Sequence, residues 1–366
     1  MASADRPATA NASETAQRLA AIAPTSESFA VDACDLLIEA AESRGASDLH
    51  LRPERAGLHA LLRVDGVLHS LASAVPQGDR IVSRMKVLAG LLTYRTDIPQ
   101  EGRIARDGPR SIRLATAPTV QGEKAVLRWT AETIRLSLEK LGLNEEIAAN
   151  WQAMLAAPQG LLLITGPAGS GKTTTAYASL RHLQQAAGEP RSLVTLEDPV
   201  EAILDGVAQT QIEPRGELSF AAGLRASLRH DPEVLLVGEI RDADTLAAAV
   251  RGSLTGHLIL STMHTGSPAE AITRLLDMGI EPYLVASSVR GVLQQRLVRT
   301  RAGRRRLLTE LVDVGDDCVA DLIKSRPTTS ELTAAIGGRS VREQARDLVD
   351  TGEIGESEFV RVFGVR

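Results

Sequence analysis

The residue pattern with the clearest chemical meaning is a glycine-rich segment that ends in lysine and threonine. Residues 166–173 read Gly-Pro-Ala-Gly-Ser-Gly-Lys-Thr, which matches the spacing G-x-x-x-x-G-K-T. Glycines let consecutive backbone N–H groups curve around phosphate oxygens, and the positive end of a following helix attracts the same anion. The predicted nucleotide-binding residues are Gly166, Pro167, Ala168, Gly169, Ser170, Gly171, Lys172, Thr173 and Thr174.

Two side chains of this segment have separate predicted tasks. Lys172 places a positive charge at the β- and γ-phosphates, and the Thr173 hydroxyl suits Mg²⁺. We therefore predict ATP and Mg²⁺ as cofactors. The alternative is a glycine-rich turn without a ligand, which the apolar run before the segment and the helical pattern after it make less plausible.

Polar side chains also follow apolar runs further along the chain. Glu197 and Asp198 follow one such run, and Glu239 and His264 follow two others. A carboxylate beside a phosphate loop can orient an attacking water or accept its proton, so we predict Glu239 as the catalytic carboxylate. Glu197 and His264 are predicted as further catalytic residues, and Asp198 as a partner of Thr173 at Mg²⁺ through a water. For the acids, the alternative is a helix cap.

Gly238 and His257 lie at the ends of the strands that lead to Glu239 and His264, and neither residue by itself indicates a catalytic role. Many related sheets end the strand before Glu239 in a metal-binding Asp, but this chain has Gly238 there, so Mg²⁺ is expected to depend on Thr173 and waters. His257 begins the strand that leads to His264, and both a structural and a functional role remain open for it.

These residues need a sheet to bring them together, and residues 143–300 predict one. Apolar runs typical of buried parallel strands alternate there with segments of helical periodicity, which indicates an α/β fold. The predicted strands are Gly160–Thr165, Leu193–Glu197, Val234–Val237 and Leu258–Thr262. The predicted helices are Lys172–Gln185, Phe220–Arg229, Ala243–Leu254 and Pro268–Leu276. Ligands of such sheets bind at the carboxyl ends of the strands, where the predicted site residues lie.

The remaining chain divides into four further parts. Residues 1–30 contain ten alanines and seven serines or threonines and predict a mostly disordered tail with a weak helix at Ala12–Ala23. A smaller α/β domain is predicted for 31–130, with a hairpin turn at Asp65-Gly66 and a helix at Arg80–Leu92. Residues 131–142 predict a linker and residues 301–366 a C-terminal helical segment.

Composition limits the function classes. The 366 residues carry a net charge of −5 and only 2% aromatic residues, which argues against nucleic acid as a partner. Cys34 and Cys318 have no metal or redox spacing, as in a reduced, cytoplasmic protein. We expect neither a signal peptide nor a membrane-spanning segment, because no basic region precedes an apolar core and no apolar run reaches 18 residues.

The motifs taken together resemble the ATPases of type II secretion and type IV pilus assembly. The resemblance covers roughly residues 45–350. It rests on GEIRDADT at 238–245, LTGHLILSTMHT at 254–265 and ITRLLDMGIEPYLVASS at 272–288, and in the N-terminal part on SDLH at 47–50, LRVDG at 62–66 and IPQEGR at 98–103. The segment SVRE at 340–343 is similar to the closing helices of that family.

The resemblance implies a RecA-like ATPase domain with a parallel-core sheet, a PAS-like N-terminal domain and C-terminal helices. It implies a cytoplasmic homo-hexamer, peripheral at the inner membrane. The implied partners are a platform protein of that membrane and a membrane-anchored protein that faces the cytoplasm. It also makes Arg103 and Arg113 arginines that reach the γ-phosphate, although by residue type alone both are more typical of a solvated surface.

The chain departs from that family around residues 296–306. Type II secretion members usually carry two Cys-x-x-Cys pairs after the segment that matches Gln295–Val298, but this chain has no cysteine there, so we predict no zinc. Six arginines lie between Arg296 and Arg306 instead. A solvated loop is the first interpretation, and contact with acidic lipid is the alternative.

The predicted function is an ATPase motor for pseudopilus assembly in type II secretion, and the alternative is a motor for assembly of a type IV or competence pilus. A small-molecule kinase, a DNA translocase and a nucleotide-binding module without turnover are weaker hypotheses. The kinase would need an arginine-rich lid, and the translocase a more basic surface.

Overall fold

A computed structural model describes residues 6–64, 66–104, 112–129, 136–186, 191–212 and 218–365, with side chains from residue 14 onward. The chain forms two compact units, Met1–Glu132 and Thr133–Arg366. Within the described ranges, no helix is both long and apolar enough to cross a membrane.

The N-terminal segment differs from the sequence prediction. Helix α1 spans Arg6–Ala21 and overlaps the weak helix predicted at Ala12–Ala23, but it begins earlier, where a disordered tail was predicted. Residues 1–5 lie outside the described ranges. Leu19 is buried in the core of the first unit, and the Thr15 hydroxyl accepts a hydrogen bond from Arg44 Nη2 at 3.0 Å. The alanine-rich segment therefore forms a helix, because apolar side chains such as Leu19 pack on the core of the first unit.

The first unit is built on a six-stranded antiparallel sheet. Its helices are α2 (Phe29–Ser43) and α3 (Gly78–Leu88). Its strands are β1 (Asp48–Glu54), β2 (Gly57–Val64), β3 (Val67–Val75), β4 (Gln100–Ile104), β5 (Ile112–Thr119) and β6 (Gly122–Trp129). The strand order is β3-β2-β1-β6-β5-β4. The predicted hairpin is present between β2 and β3, although Asp65 of its turn lies outside the described residues.

The second unit contains a seven-stranded sheet in the order β13-β12-β7-β11-β10-β8-β9. The strands are β7 (Gly160–Thr165), β8 (Leu193–Glu197), β9 (Ala208–Gln211), β10 (Val234–Val237), β11 (Leu258–Met263), β12 (Val289–Arg299) and β13 (Arg305–Asp313). The helices are α4 (Glu145–Leu155), α5 (Lys172–Gln185), α6 (Phe220–Ser227), α7 (Ala243–Leu254), α8 (Pro268–Asp277), α9 (Pro282–Ser288), α10 (Asp317–Lys324), α11 (Thr329–Ile336), α12 (Val341–Asp350) and α13 (Glu356–Phe363).

The parallel core matches the prediction closely. β7, β8, β10 and β11 have the predicted bounds within one residue, and β7 and β11 are buried at every position. All neighbouring pairs among β12, β7, β11, β10, β8 and β9 are parallel. The predicted α/β fold class is therefore confirmed. The carboxyl ends of these strands meet at one edge of the sheet, which is where α/β proteins bind ligands.

Two boundaries in this unit differ from the prediction. The described part of the predicted linker includes a short 3₁₀ helix at Leu138–Lys140, and Leu138 is buried in the core. The predicted helical segment 301–366 contains the strand β13, which pairs antiparallel with β12. Val298 and Leu308 of this hairpin pack with Val341 and Phe359 of α12 and α13, so the apolar cover of the hairpin comes from helices distant in sequence.

The arginine-rich segment is therefore mostly strand. Arg296 and Arg299 lie in β12, Arg305 and Arg306 lie in β13, and only residues 300–304 form the connecting turn. Arg306 Nη1 forms an ion pair with Glu353. The predicted solvated loop is thus limited to the tip of a β-hairpin.

Candidate functional site

The glycine-rich segment connects β7 to α5 at the carboxyl edge of the sheet. Gly166, Gly169 and Gly171 have φ angles of 147°, 75° and 93°, which favour glycine. A Cβ atom at Gly166 would lie 2.5 Å from the carbonyl oxygen of Gln295, so the close packing of the loop on β12 also requires glycine there. The backbone thus has the compact form that presents successive N–H groups to an anion.

Lys172 lies inside this loop. Its side chain is largely buried, and Nζ donates to the carbonyl oxygens of Gly166 at 2.8 Å and Pro167 at 2.9 Å. Thr173 and Thr174 follow in the first turn of α5. The Thr173 hydroxyl donates to Glu201 Oε1 at 3.4 Å, so two oxygen atoms of the kind that Mg²⁺ prefers lie together.

Burial lowers the pKa of Lys172 to about 8 from 10.5, with Glu239 opposing that shift and Arg296 adding to it. This value gives a prediction for nucleotide binding. Phosphates bind the charged ammonium, so affinity should be constant below about pH 8 and fall above it, by up to tenfold per pH unit, because the ligand-free protein must first take up a proton. Calorimetric titration with ADP between about pH 7 and about pH 9.5 measures this.

The control for that titration is Lys172→Arg, because a guanidinium keeps its charge over this range. If this variant binds ADP, its affinity should not change with pH. A wild-type dissociation constant that stayed level up to about pH 9.5 would contradict the lowered pKa.

Glu239 and His264 converge on Lys172. His264 Nδ1 lies 3.5 Å from Lys172 Nζ, and His264 Nε2 lies 3.7 Å from Glu239 Oε2. Burial, together with the Lys172 charge, lowers the pKa of His264, although Glu239 acts in the opposite direction. A neutral imidazole can accept from the lysine at Nδ1 and present its Nε2–H to the carboxylate. These three predicted residues form one cluster.

Other contacts keep the Glu239 carboxylate in place. Arg241 forms an ion pair with it, and the Glu239 side chain is only 15% exposed. The next acid, Asp242, caps α7 by accepting a hydrogen bond from the N–H of Thr245 at 2.8 Å. Glu239 is therefore the strand-end carboxylate that faces the phosphate loop, while its neighbour has a structural task.

The Glu197 side chain is buried at the end of β8, and its predicted catalytic role stays a prediction. Its buried carboxylate accepts hydrogen bonds from Tyr177 Oη, from Thr195 Oγ1 at 2.6 Å and from Gln209 Nε2 at 3.2 Å. Three donors satisfy the hydrogen-bonding needs of this buried carboxylate. Burial is the main cause that raises the pKa of Tyr177, and the contact with Glu197 adds to it. This geometry favours a role for Glu197 in positioning the end of β8.

Gly238 and Asp198 lie beside that strand end. A Cβ atom at Gly238 would be 3.2 Å from the carbonyl oxygen of Leu196, so a larger residue would press on β8. Asp198 is half-buried directly after β8. Its predicted water-mediated contact with Mg²⁺ stays a prediction.

His257 lies at the opposite edge of the sheet. It precedes β11, whereas His264 follows that strand, so the six-residue strand separates them by about 20 Å. His257 Nδ1 is 3.1 Å from the carbonyl oxygen of Gly252 at the end of α7. The structural interpretation of His257 is therefore favoured.

Arg103 and Arg113 are brought side by side in the first unit. They are directly opposite each other on β4 and β5, so their side chains share one face of the sheet. The same cross-strand row continues through Arg128 on β6 and Asp48 on β1 to Arg63 on β2. The buried Asp48 carboxylate accepts from Arg128 Nε at 2.7 Å, and Glu101 pairs with Arg113. Two arginines directly opposite each other repel, and a bound anion would relieve that repulsion, so this arrangement is typical of an anion-binding surface.

Comparison with known proteins gives the family. The profile of the family described as Type II/IV secretion system protein matches residues 24–358. The chain belongs to this family. The match spans most of both units of the secretion-family chain, including every predicted catalytic and nucleotide-binding residue.

Individual relatives agree with this assignment. The secretion-family chain is 47% identical over 261 residues to the Type II secretion system ATPase E of Vibrio cholerae, covering 70% of this chain and 51% of that protein. It is 39% identical over 283 residues to the Type IV pilus assembly ATPase TfpB of Acinetobacter baylyi, covering 76% and 48%. The chain thus spans about half the length of these curated relatives.

A solved structure shows the same fold. The X-ray structure of the Legionella pneumophila ATPase DotB is 26% identical, with a TM-score of 0.71, and the alignment covers 91% of the secretion-family chain and 95% of DotB. The predicted RecA-like architecture is in keeping with this likeness.

Sequence reasoning missed several residues around the cluster. Glu201 beside Thr173 stands in the polar run after β8, and Arg241 lies two positions after Glu239; both signals were visible in the sequence. Gln294 and Gln295 gave no such signal, because their partners, Thr165 at the end of β7 and Ser170 on the phosphate loop, are more than 100 positions away.

Proposed function

We propose that this chain is the ATPase motor of a type II secretion system, a cytoplasmic homo-hexamer that hydrolyses ATP and drives pseudopilus assembly. The observation that carries the proposal is the convergence of Lys172, His264 and Glu239 at the phosphate loop of a secretion-family protein. The greater identity to a type II secretion ATPase than to a pilus ATPase supports the choice of machine.

The proposed chemistry assigns one task to each residue. Lys172 and the loop N–H groups hold the β- and γ-phosphates, and Glu239 aligns a water for in-line attack on the γ-phosphorus. His264 contacts both groups and reports the presence of the γ-phosphate. Arg103 and Arg113 neutralise the charge that develops on the transferred phosphoryl group.

The oxygen donors at the site fit Mg²⁺. Thr173 Oγ1 and, through water, Asp198 would hold the ion, and Glu201 is the nearest carboxylate to Thr173. Bound Mg²⁺ supplies neutralisation of the phosphate charge. No zinc is proposed. Release of the cleaved γ-phosphate is proposed to be the step that is coupled to mechanical work.

The proposed setting is the cytoplasmic side of the inner membrane. A platform protein of that membrane and a membrane-anchored protein facing the cytoplasm are the proposed partners. Acidic lipid at the hairpin tip, where Arg301 and Arg304 are exposed, is a further proposed contact. Nucleic acid is not among the proposed partners.

Hydrolysis per protomer across a protein dilution series tests the motor function. We expect specific activity to rise with protein concentration, because assembly completes the site, and to vanish in Lys172→Ala. High activity that is independent of concentration would instead indicate a self-sufficient monomeric NTPase.

The second candidate is assembly of a type IV or competence pilus, which the similarity to TfpB favours. Deletion of the gene in its host separates the two machines. Loss of exoprotein secretion with normal piliation supports the secretion motor, and loss of pili or of DNA uptake with normal secretion supports the alternative.

A further inference from the structure

Two consecutive glutamines on β12, Gln294 and Gln295, are completely buried beside the phosphate loop. An amide removed from water costs free energy unless hydrogen bonds replace those lost. Consecutive residues of a strand point to opposite faces, so the two amides can reach different parts of the site. Their partners therefore indicate why polar residues occupy these core positions.

Gln294 joins the strand before the phosphate loop to the segment that carries His264. Its Oε1 accepts a hydrogen bond from Thr165 Oγ1, and Thr165 is the last residue of β7, directly before the phosphate loop. Its Nε2 donates to the carbonyl oxygen of Gly266 at 3.0 Å, and Gly266 is two positions after His264. One side chain thus connects the beginning of the phosphate loop to the His264 segment.

Gln295 acts on the loop itself. Its Nε2 donates to the carbonyl oxygen of Ser170 at 2.7 Å. This contact supports the middle of the phosphate loop but does not reach the His264 segment. A change at Gln295 is therefore expected to weaken nucleotide binding, which separates it from Gln294.

On the N-terminal side of His264, β11 fixes the backbone, because Met263 pairs with Thr165 of β7 and accepts a hydrogen bond from the N–H of Gly166 at 3.3 Å. On the C-terminal side, Gly266 has fewer bonds. The carbonyl oxygen of Gly266 also receives Arg296 Nη2, at the long distance of 3.5 Å. The N–H of Gly266 donates to Glu270 Oε2 at 2.6 Å, which ties it to α8. Among the described contacts of Gly266, the Gln294 bond is the one that leads directly to the phosphate-loop strand.

We infer that Gln294 is a positioning residue that holds His264 in reach of both Lys172 and Glu239. His264 lies 3.5 Å from one and 3.7 Å from the other, so a shift of its segment by about 1 Å would break the cluster. Gln294 acts through His264 alone. The inference rests on the proposed ATP hydrolysis.

The experiment compares Gln294→Leu and His264→Ala, singly and together. Leucine preserves most of the volume but removes both hydrogen bonds. We expect Gln294→Leu to lower kcat by about tenfold, with KM and the ADP dissociation constant within about twofold of wild type. In the His264→Ala background, the same change should cost no further activity, because the residue it positions is gone.

Two further variants keep the test decisive. Thr165→Val removes only the hydrogen bond from Thr165 Oγ1 to Gln294 Oε1. It is a smaller change, and it should reproduce part of the loss of kcat if Gln294→Leu does not fold. Ser253→Ala removes a buried hydroxyl that bonds the Val250 carbonyl oxygen at 2.8 Å on α7, away from the site, and should leave kcat unchanged.

An undiminished kcat in folded Gln294→Leu would overturn the inference, as would an equal further loss in the His264→Ala background. A parallel loss of ADP affinity would also overturn it, because the residue would then support the phosphate loop as a whole. Absence of hydrolysis in the wild-type ring would overturn the proposed function and this inference together, so the two failures are distinguishable.

Discussion

Glu239→Gln is expected to lower the rate of ATP hydrolysis by about 10²–10⁴-fold while ATP binding is retained. The amide has the shape of the carboxylate but cannot accept a proton or orient water with a full negative charge. Glu239 follows β10 at the carboxyl edge of the sheet, and His264 Nε2 lies 3.7 Å from its carboxylate. Steady-state hydrolysis and titration with a fluorescent ATP analogue measure the two effects separately.

A matched control lies at the other end of the same strand. Glu233 immediately precedes β10 and pairs with Arg191 at 3.7 Å, so Glu233→Gln makes the same chemical change away from the phosphate loop. This control should hydrolyse ATP at the wild-type rate. If Glu239→Gln did so too, the assignment of the catalytic carboxylate would be wrong.

Loss of Arg113 or Arg103 is expected to have an effect of comparable size or larger. An arginine that stabilises the transferred phosphoryl group contributes about 10³–10⁵ in rate. Arg103→Gln and Arg113→Gln should therefore each lower kcat strongly. ADP lacks the γ-phosphate, so the ADP dissociation constant should remain within about twofold, and this contrast identifies the phosphate that the arginines contact.

The first unit offers a suitable control for the arginines. Arg52 lies on β1 with its side chain half-exposed and pairs with Glu54, so Arg52→Gln removes a surface charge from the same sheet. It should not change kcat. Wild-type rates in both Arg103→Gln and Arg113→Gln would show that these residues are ordinary surface arginines, as their residue type alone suggested.

The parallel core was predictable because its signals are local. β7 and β11 are uninterrupted apolar or buried runs, and such runs are typical of strands covered on both faces. The glycine, lysine and threonine of the phosphate loop are adjacent in sequence, so their shared chemistry could be predicted without a fold. The strand-end rule then placed Glu239 and His264 at the correct edge.

Predictions failed where a strand or helix is buried by apolar side chains that are distant in sequence. The β12–β13 hairpin carries six arginines in and around its turn, a pattern that resembles a solvated loop. Val298 and Leu308 are nevertheless buried, because α12 and α13 cover that face. α1 was underestimated for a similar reason, since Leu19 is stabilised by packing on the core of the first unit.

The sequence by itself predicted which residues would bind phosphate, which strands would carry them, and which carboxylate would act on water. Only the tertiary structure decided that Glu197 is held by Tyr177 and Gln209, while Glu239 faces Lys172 and His264. Only the structure connected Gln294 to Thr165, 129 positions away. The physical reason is that a side chain's chemistry belongs to its residue type, whereas its partners depend on the register and order of strands that the whole core selects.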